Sequence, residues 1–105
     1  MSIEIIEVTK SNKPTKRLRI VIEDEDGIEK VYHFGLDGAS TYIDHQDEKK
    51  REAYRKRHYA NEKEKRLIDN NIPSPALFSY RLLWGDSTDI TENIINLQRD
   101  FNKKT

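Results

Sequence analysis

From about Thr41 to Arg66 the chain is a dense mixture of charged residues with a scatter of aromatics. Between Asp47 and Arg66 there is no Leu, Ile, Val or Met at all. Glu, Lys, Arg and Ala are strong helix formers, so the segment reads as helix, yet it has no ordinary apolar stripe with which to enter a core. The core must therefore be built from the residues on either side of it. Asp47 to Arg66 carries nine basic residues against five acids, a net +4, while the whole chain balances 19 basic against 19 acidic side chains. No long-range field draws the molecule to a polyanion, and any electrostatic targeting comes from this local segregation.

Before this segment the pattern is β. Ile3 to Val8 and Leu18 to Ile22 are rich in β-branched residues and are separated by the turn cluster Ser11-Asn12-Lys13-Pro14. Glu23-Asp24-Glu25-Asp26-Gly27 forms a second turn, with glycine where φ > 0 is needed, and Ile28 to Phe34 resumes the alternation. Ile28, Lys30, Tyr32 and Phe34 share one face of that third strand, whereas Glu29, Val31 and His33 share the other. A three-stranded meander with one aromatic face needs helices to cover it.

Thr41 with Asp44 three residues on has the form of a capping box, and Asp47 offers a second N-cap, which allows a break between Ile43 and Glu48. Further on, Asn70-Asn71-Ile72-Pro73-Ser74-Pro75 is the strongest punctuation in the chain. Pro73 biases Ile72 out of the helical region, while Ser74 followed by Pro75 reads as N-cap then N1. The helix that follows, to Trp84, is apolar almost all round, belongs at the heart of the core and is stopped by Gly85 as a C′ residue. Ser87-Thr88-Asp89 then caps a last amphipathic helix, in which Ile90, Ile94, Leu97 and Phe101 recur at helical spacing.

The expected fold is α+β: a three-stranded antiparallel β-meander at the N-terminus followed by three helices packed on one face. At 105 residues the chain suits one domain (1–105), divided into a meander (1–35), a charged basic helical region (41–68), a core helix (74–84) and a C-terminal amphipathic helix (88–103). With 34% hydrophobic and 36% charged residues the core is thin, or completed by a partner. Without cysteine there is no disulfide framework, thiolate zinc site or cysteine nucleophile, a composition that fits a reducing compartment. Glu4 and Glu7 interrupt the N-terminus, and no stretch approaches the ~20 apolar residues of a membrane span, so a soluble protein with no membrane partner is expected, inside a cell or a particle assembled there.

No serine-hydrolase elbow, P-loop, HExxH or paired-carboxylate arrangement is present, and Gly35, Gly38 and Gly85 are too scattered to cradle a phosphate. The chemistry points to a non-enzymatic role without a cofactor. Arginines beside a tyrosine and a histidine suit phosphate contact with base stacking, which nominates Arg51, Tyr54, Arg55, Arg57 and His58 as a nucleic-acid contact face, flanked by Lys49, Lys50 and Lys56. The competing reading is a solvated helix laced by ion pairs, with Tyr54 and His58 tucked onto the sheet. A structural or protein-docking role and a metal-dependent nuclease using Asp44, His45 and His58 are the alternatives. His45 and His58 lie thirteen residues apart, which is not a ligand-pair spacing, and hydrogen bonds fixing the loop or the basic helix suit them better.

Gly38-Ala39-Ser40-Thr41-Tyr42-Ile43-Asp44-His45, then Asp47, Lys50-Arg51, Tyr54, Arg57-His58, Asn61-Glu62, Ser74-Pro75-Ala76-Leu77-Phe78-Ser79 and Leu82-Leu83-Trp84-Gly85 together resemble an uncharacterised family of small proteins. Its members are encoded by large double-stranded DNA viruses, the nucleocytoplasmic large DNA viruses. The resemblance covers roughly half of the chain. It implies a location in the host cytoplasm or the virion interior, and as partners nucleic acid, nucleoprotein or another virion protein.

Overall fold

The computed structural model describes residues 2–103. Three strands, β1 (Glu4–Lys10), β2 (Lys16–Glu23) and β3 (Glu29–Leu36), form an antiparallel sheet in the order β1-β2-β3. Five helical elements follow: α1 (Tyr42–His45), α2 (Glu48–Tyr59), α3 (Glu62–Asp69), α4 (Pro75–Phe78, widening into a π-helical turn over Ser79–Leu83) and α5 (Ile90–Asn102). The fold is α+β, with the expected meander. Among the described residues, no helix is long and apolar enough to cross a membrane.

The strand alternation sets the core. Leu18, Ile20 and Ile22 of β2 lie opposite Phe34, Tyr32 and Lys30 of β3, and this face meets Leu77, Phe78, Leu82, Leu83, Leu97 and Phe101 from α4, its π-turn and α5. Tyr32 and Phe34 contact the Phe78 ring at centroid distances of 5.3 and 5.9 Å. On β1 a bulge between Ile5 and Glu7 shifts the register by one residue, so that Ile5 and Val8, an odd and an even position, both reach the core face. The side chain of Gln98 on α5 ties down the start of β1, accepting from the Ile5 N–H at 2.7 Å and donating to the Ile3 carbonyl at 2.8 Å.

Two expectations about the helices need correction. The charged segment is divided twice, at the break allowed between Ile43 and Glu48 and at a second one, not expected, at Asn61. Gln46 adopts a left-handed conformation (φ 57°) that ends α1, and Asn61 caps α3 by accepting from the Glu64 N–H at 3.1 Å, which separates α3 from α2. In the core helix, Ser74 caps the Leu77 N–H at 3.2 Å as expected, but the helix does not run regularly to a glycine stop. The Trp84 N–H bonds to the Ser79 carbonyl, a π-type step. Gly85 has no positive φ; it is required because a β-carbon there would lie 2.2 Å from the Arg81 carbonyl oxygen and 2.8 Å from the Asn93 side chain. The widened turn leaves Leu82 and Leu83 fully buried and brings Ser79, Tyr80 and Trp84 to α2.

Asn93 fixes this region. It is 1% exposed, and its amide donates to the Leu82 and Ser87 carbonyls (3.1 and 2.8 Å) and accepts from the Ser87 N–H (3.0 Å). The turn carrying Trp84 and Asp86 is thereby clamped onto α5 by a buried amide whose donors and acceptor are matched.

Candidate nucleic-acid interface

Asp47 begins α2 by accepting from the backbone N–H groups of Lys49 (2.9 Å) and Lys50 (3.3 Å), while Lys56, Arg57 and His58 occupy the last turn, where the helix dipole favours positive charge. Arg51, Tyr54, Arg55 and His58 stand at i, i+3, i+4 and i+7. That is the spacing of a buried stripe, and here these polar and aromatic residues serve as one. The expectation that α2 lacks a packing face is thus corrected.

The stripe packs onto the π-turn and the residues just after it. The Tyr54 ring is stacked on Trp84, with centroids 4.3 Å apart and planes 6° apart, and the His58 ring lies 4.1 Å away. The Tyr54 hydroxyl is hydrogen-bonded to Ser79 Oγ at 3.0 Å, and burial pushes the phenol above its usual pKa. Arg51 lies over the Tyr42 ring and Arg55 over the Tyr80 ring, at 5.1 and 5.0 Å. Both guanidinium groups donate to Asp86 Oδ1, at 3.0 and 3.2 Å, and Arg55 Nε also donates to the Trp84 carbonyl at 3.1 Å. The Arg51 and Arg55 side chains keep only 15% and 21% of their exposure. Each cation–π contact of this kind is worth roughly 0.5–1 kcal/mol and the aromatic stack about as much again, so small terms jointly fix the helix.

Four of the eight nominated residues are therefore committed to internal contacts, and the structure separates them from the other four. Lys49, Lys50, Lys56 and Arg57 are exposed, and none of them has a carboxylate within ion-pair distance among the described residues. Lys49, Ala53, Lys56 and Ala60 follow one another along the outer side at helical spacing, with Lys50 and Arg57 on its flank. The Arg57 guanidinium also lies 5.8 Å from the Tyr54 ring. Neither of the two readings of this segment holds whole: Tyr54 and His58 are tucked in, but onto Trp84 and α3 rather than the sheet, and the outer cations are not consumed by ion pairs.

The histidines and Asp44 are held apart by separate tasks. Asp44 receives both terminal nitrogens of Arg17 (2.6 and 2.7 Å) and the N–H of Thr41 (2.8 Å), and Arg17 above all holds its carboxyl well below the usual carboxylate range. His45 Nδ1 accepts from the Asp47 N–H at 3.0 Å, which places the proton of the neutral ring on the buried Nε2. His58 Nδ1 meets Glu64 at 2.7 Å and links α2 to α3. Both histidines thus fix local structure, as expected. No group of three His, Cys, Asp or Glu side chains is brought together as a metal-ligand set among the described residues.

Sequence reasoning missed Asp86, Tyr80, Glu64 and Tyr42 as partners of the helix. The available signal was the spacing of Arg51, Tyr54, Arg55 and His58, together with a Trp84 at the end of the core helix to which no partner had been assigned.

The profile of a family of unknown function, DUF5754, matches residues 6–58, from the bulge in β1 to His58 in the last turn of α2. Trp84 and Asp86, which hold that helix, lie beyond the matched residues. The chain is 40% identical over 80 residues to an uncharacterised protein, L851, of Acanthamoeba polyphaga mimivirus; the aligned region is 75% of this chain and 80% of the relative. No solved structure matches. The resemblance to small proteins of large double-stranded DNA viruses is thereby borne out, and the chain belongs to the DUF5754 family.

Proposed function

We propose that this is a non-enzymatic viral protein that binds nucleic acid through the outer side of α2, in the cytoplasm of an infected cell or inside the virion. Lys49, Lys50, Lys56 and Arg57 contact phosphates, while Arg51, Tyr54, Arg55 and His58 hold the helix in place. The observation that carries this reading is the division of α2 itself. Two arginines share the Asp86 carboxylate, and four further cations on the same helix are exposed without carboxylate partners among the described residues.

The division also narrows the mode of binding. Phosphate contacts position a protein on nucleic acid but carry no sequence information, and base stacking needs a free aromatic face. Tyr54 is already stacked on Trp84. Binding is accordingly electrostatic, indifferent to sequence, and no weaker for a duplex than for a single strand. Four phosphate contacts give a slope of about −3.6 in log K against log salt, or roughly 150-fold weaker binding at 200 mM than at 50 mM salt. A fluorescence anisotropy titration with a labelled duplex measures this directly, and absence of binding at ~50 mM salt refutes it.

A further inference from the structure

The exposed cations of α2 stand in two rows. At about 100° per residue, Lys49 and Lys56 lie within about 20° of one direction, and Lys50 and Arg57 within about 20° of a second, about 100° further round the helix. Ala53 and Ala60 fall between the rows, and both are exposed. Ala60 is the C-cap but keeps helical φ and ψ, and its N–H still bonds to the Lys56 carbonyl, so the helical spacing extends to it. Arg51, Tyr54, Arg55 and His58 occupy the opposite side, where they pack inward. The acids Glu48 and Glu52 stand about 100° or more round from Ala53, beyond the Lys49 row, and Glu52 is 3.6 Å from the Arg51 guanidinium.

Phosphates along a single strand call for a single row of cations. Side chains about 100° apart diverge from the helix, and their ends are separated by about a helix diameter, ~10 Å. Between the rows the surface is low, with only a methyl group at Ala53 and another at Ala60. The major groove of B-form DNA is about 12 Å wide, admits an α-helix and has a phosphate strand on each wall. That of A-form RNA is too deep and narrow for side chains to read.

We propose that the partner of α2 is double-stranded DNA and that the helix lies in its major groove. The alanines face the groove floor, Lys49 and Lys56 meet the phosphates of one strand, and Lys50 and Arg57 meet those of the other. The assignment rests on the phosphate-binding reading of the same four cations and adds to it which nucleic acid is bound and in which groove. The cations make the site, and the alanines set how near the helix comes to the base pairs. Within each row the two cations are seven residues apart, about 10.5 Å, which spans about three base pairs at 3.4 Å each. A methyl group neither donates nor accepts a hydrogen bond, so entry by this helix brings no hydrogen-bonded readout of base edges and agrees with binding that ignores sequence.

Anisotropy titrations of the full chain at ~50 mM salt test this with a DNA duplex of about 20 base pairs and an RNA duplex of the same sequence. The DNA duplex is expected to bind about tenfold more tightly or better. Ala53→Phe, at an exposed position and without change of charge, holds the helix off the groove floor. It weakens DNA binding about tenfold or more and leaves RNA binding unchanged, whereas Ala53→Ser keeps the parent affinity. Thermal melts of both variants that match the parent chain show that the loss is not one of folding. On a DNA duplex saturated with the chain, dimethyl sulfate methylates guanine N7, in the major groove, less than on free DNA, while adenine N3, in the minor groove, stays reactive. DNA and RNA duplexes bound alike, DNA binding indifferent to Ala53→Phe, or unprotected guanine N7 would each overturn the major-groove assignment while the phosphate-binding reading stands. Absence of binding to either duplex at ~50 mM salt would refute that reading and the assignment with it.

Discussion

Replacing Asn93 by alanine removes three hydrogen bonds at once from a site that is 1% exposed. The Leu82 carbonyl and both backbone groups of Ser87 lose their side-chain partner, and a buried polar group left unsatisfied costs about 1–3 kcal/mol. Some of this is recovered as water enters the space vacated by the amide, so the net loss is about 3 kcal/mol or somewhat more. Against the 5–15 kcal/mol typical of a domain that is a large fraction. At roughly 4–8 °C per kcal/mol it lowers the melting temperature by about 12–25 °C. Urea denaturation followed by far-ultraviolet circular dichroism measures it as a shift in midpoint at unchanged slope. Asn96→Ala, on the same helix but half-buried and bonded only locally to Arg99, serves as control and changes stability by no more than about 0.5 kcal/mol. Since the clamped turn carries Trp84 and Asp86, amide exchange in α2 also accelerates in the Asn93 variant. A loss below 1 kcal/mol, or α2 protection unchanged relative to α5, would refute the clamp.

Asp44→Asn is expected to cost about 1–2 kcal/mol at pH 7, an amount discounted for the partial exposure of the Arg17 pair. Because the folded carboxyl lies below its usual range, its contribution is complete above about pH 4 and is lost as pH falls below that, so the difference from the parent chain shrinks on acidification. Thermal melts of both chains between pH 7 and pH 2 check the sign. Trp84 is the single tryptophan and reports on α2 through Tyr54. Tyr54→Phe loses the Ser79 hydrogen bond, costs about 1 kcal/mol and leaves Trp84 emission nearly unchanged, whereas Tyr54→Ala shifts that emission to longer wavelength.

What was legible in the sequence followed from periodicity and local chemistry. Alternation over Ile28 to Phe34 assigned Tyr32 and Phe34 to the core and His33 to the opposite face, because a strand has only two faces. Ser74-Pro75 and Asp89 marked helix starts, and both side chains cap their helices in the structure. The β1 bulge was not legible, since one extra residue changes parity without changing composition. The division of α2 was also missed, because an apolar stripe was sought and this one is made of arginine stems, a tyrosine and a histidine. Arginine packs through its apolar stem and flat guanidinium, so its charge conceals that it lines an interior face. The partners that decide the matter, Trp84 and Asp86, are some thirty residues away and reach α2 only because the π-turn and the Asn93 clamp place them there.

The central claim is that the two sides of α2 do different work, one holding the fold and the other meeting phosphate. Lys49→Gln, Lys50→Gln, Lys56→Gln and Arg57→Gln made together test it most directly, in duplex titrations across salt with Trp84 emission recorded on the same samples. The account predicts unchanged emission and, where the parent chain binds with a slope of about −3.6, binding by the variant too weak to measure even at ~50 mM salt. Duplex binding by this variant with the affinity and slope of the parent chain would contradict it.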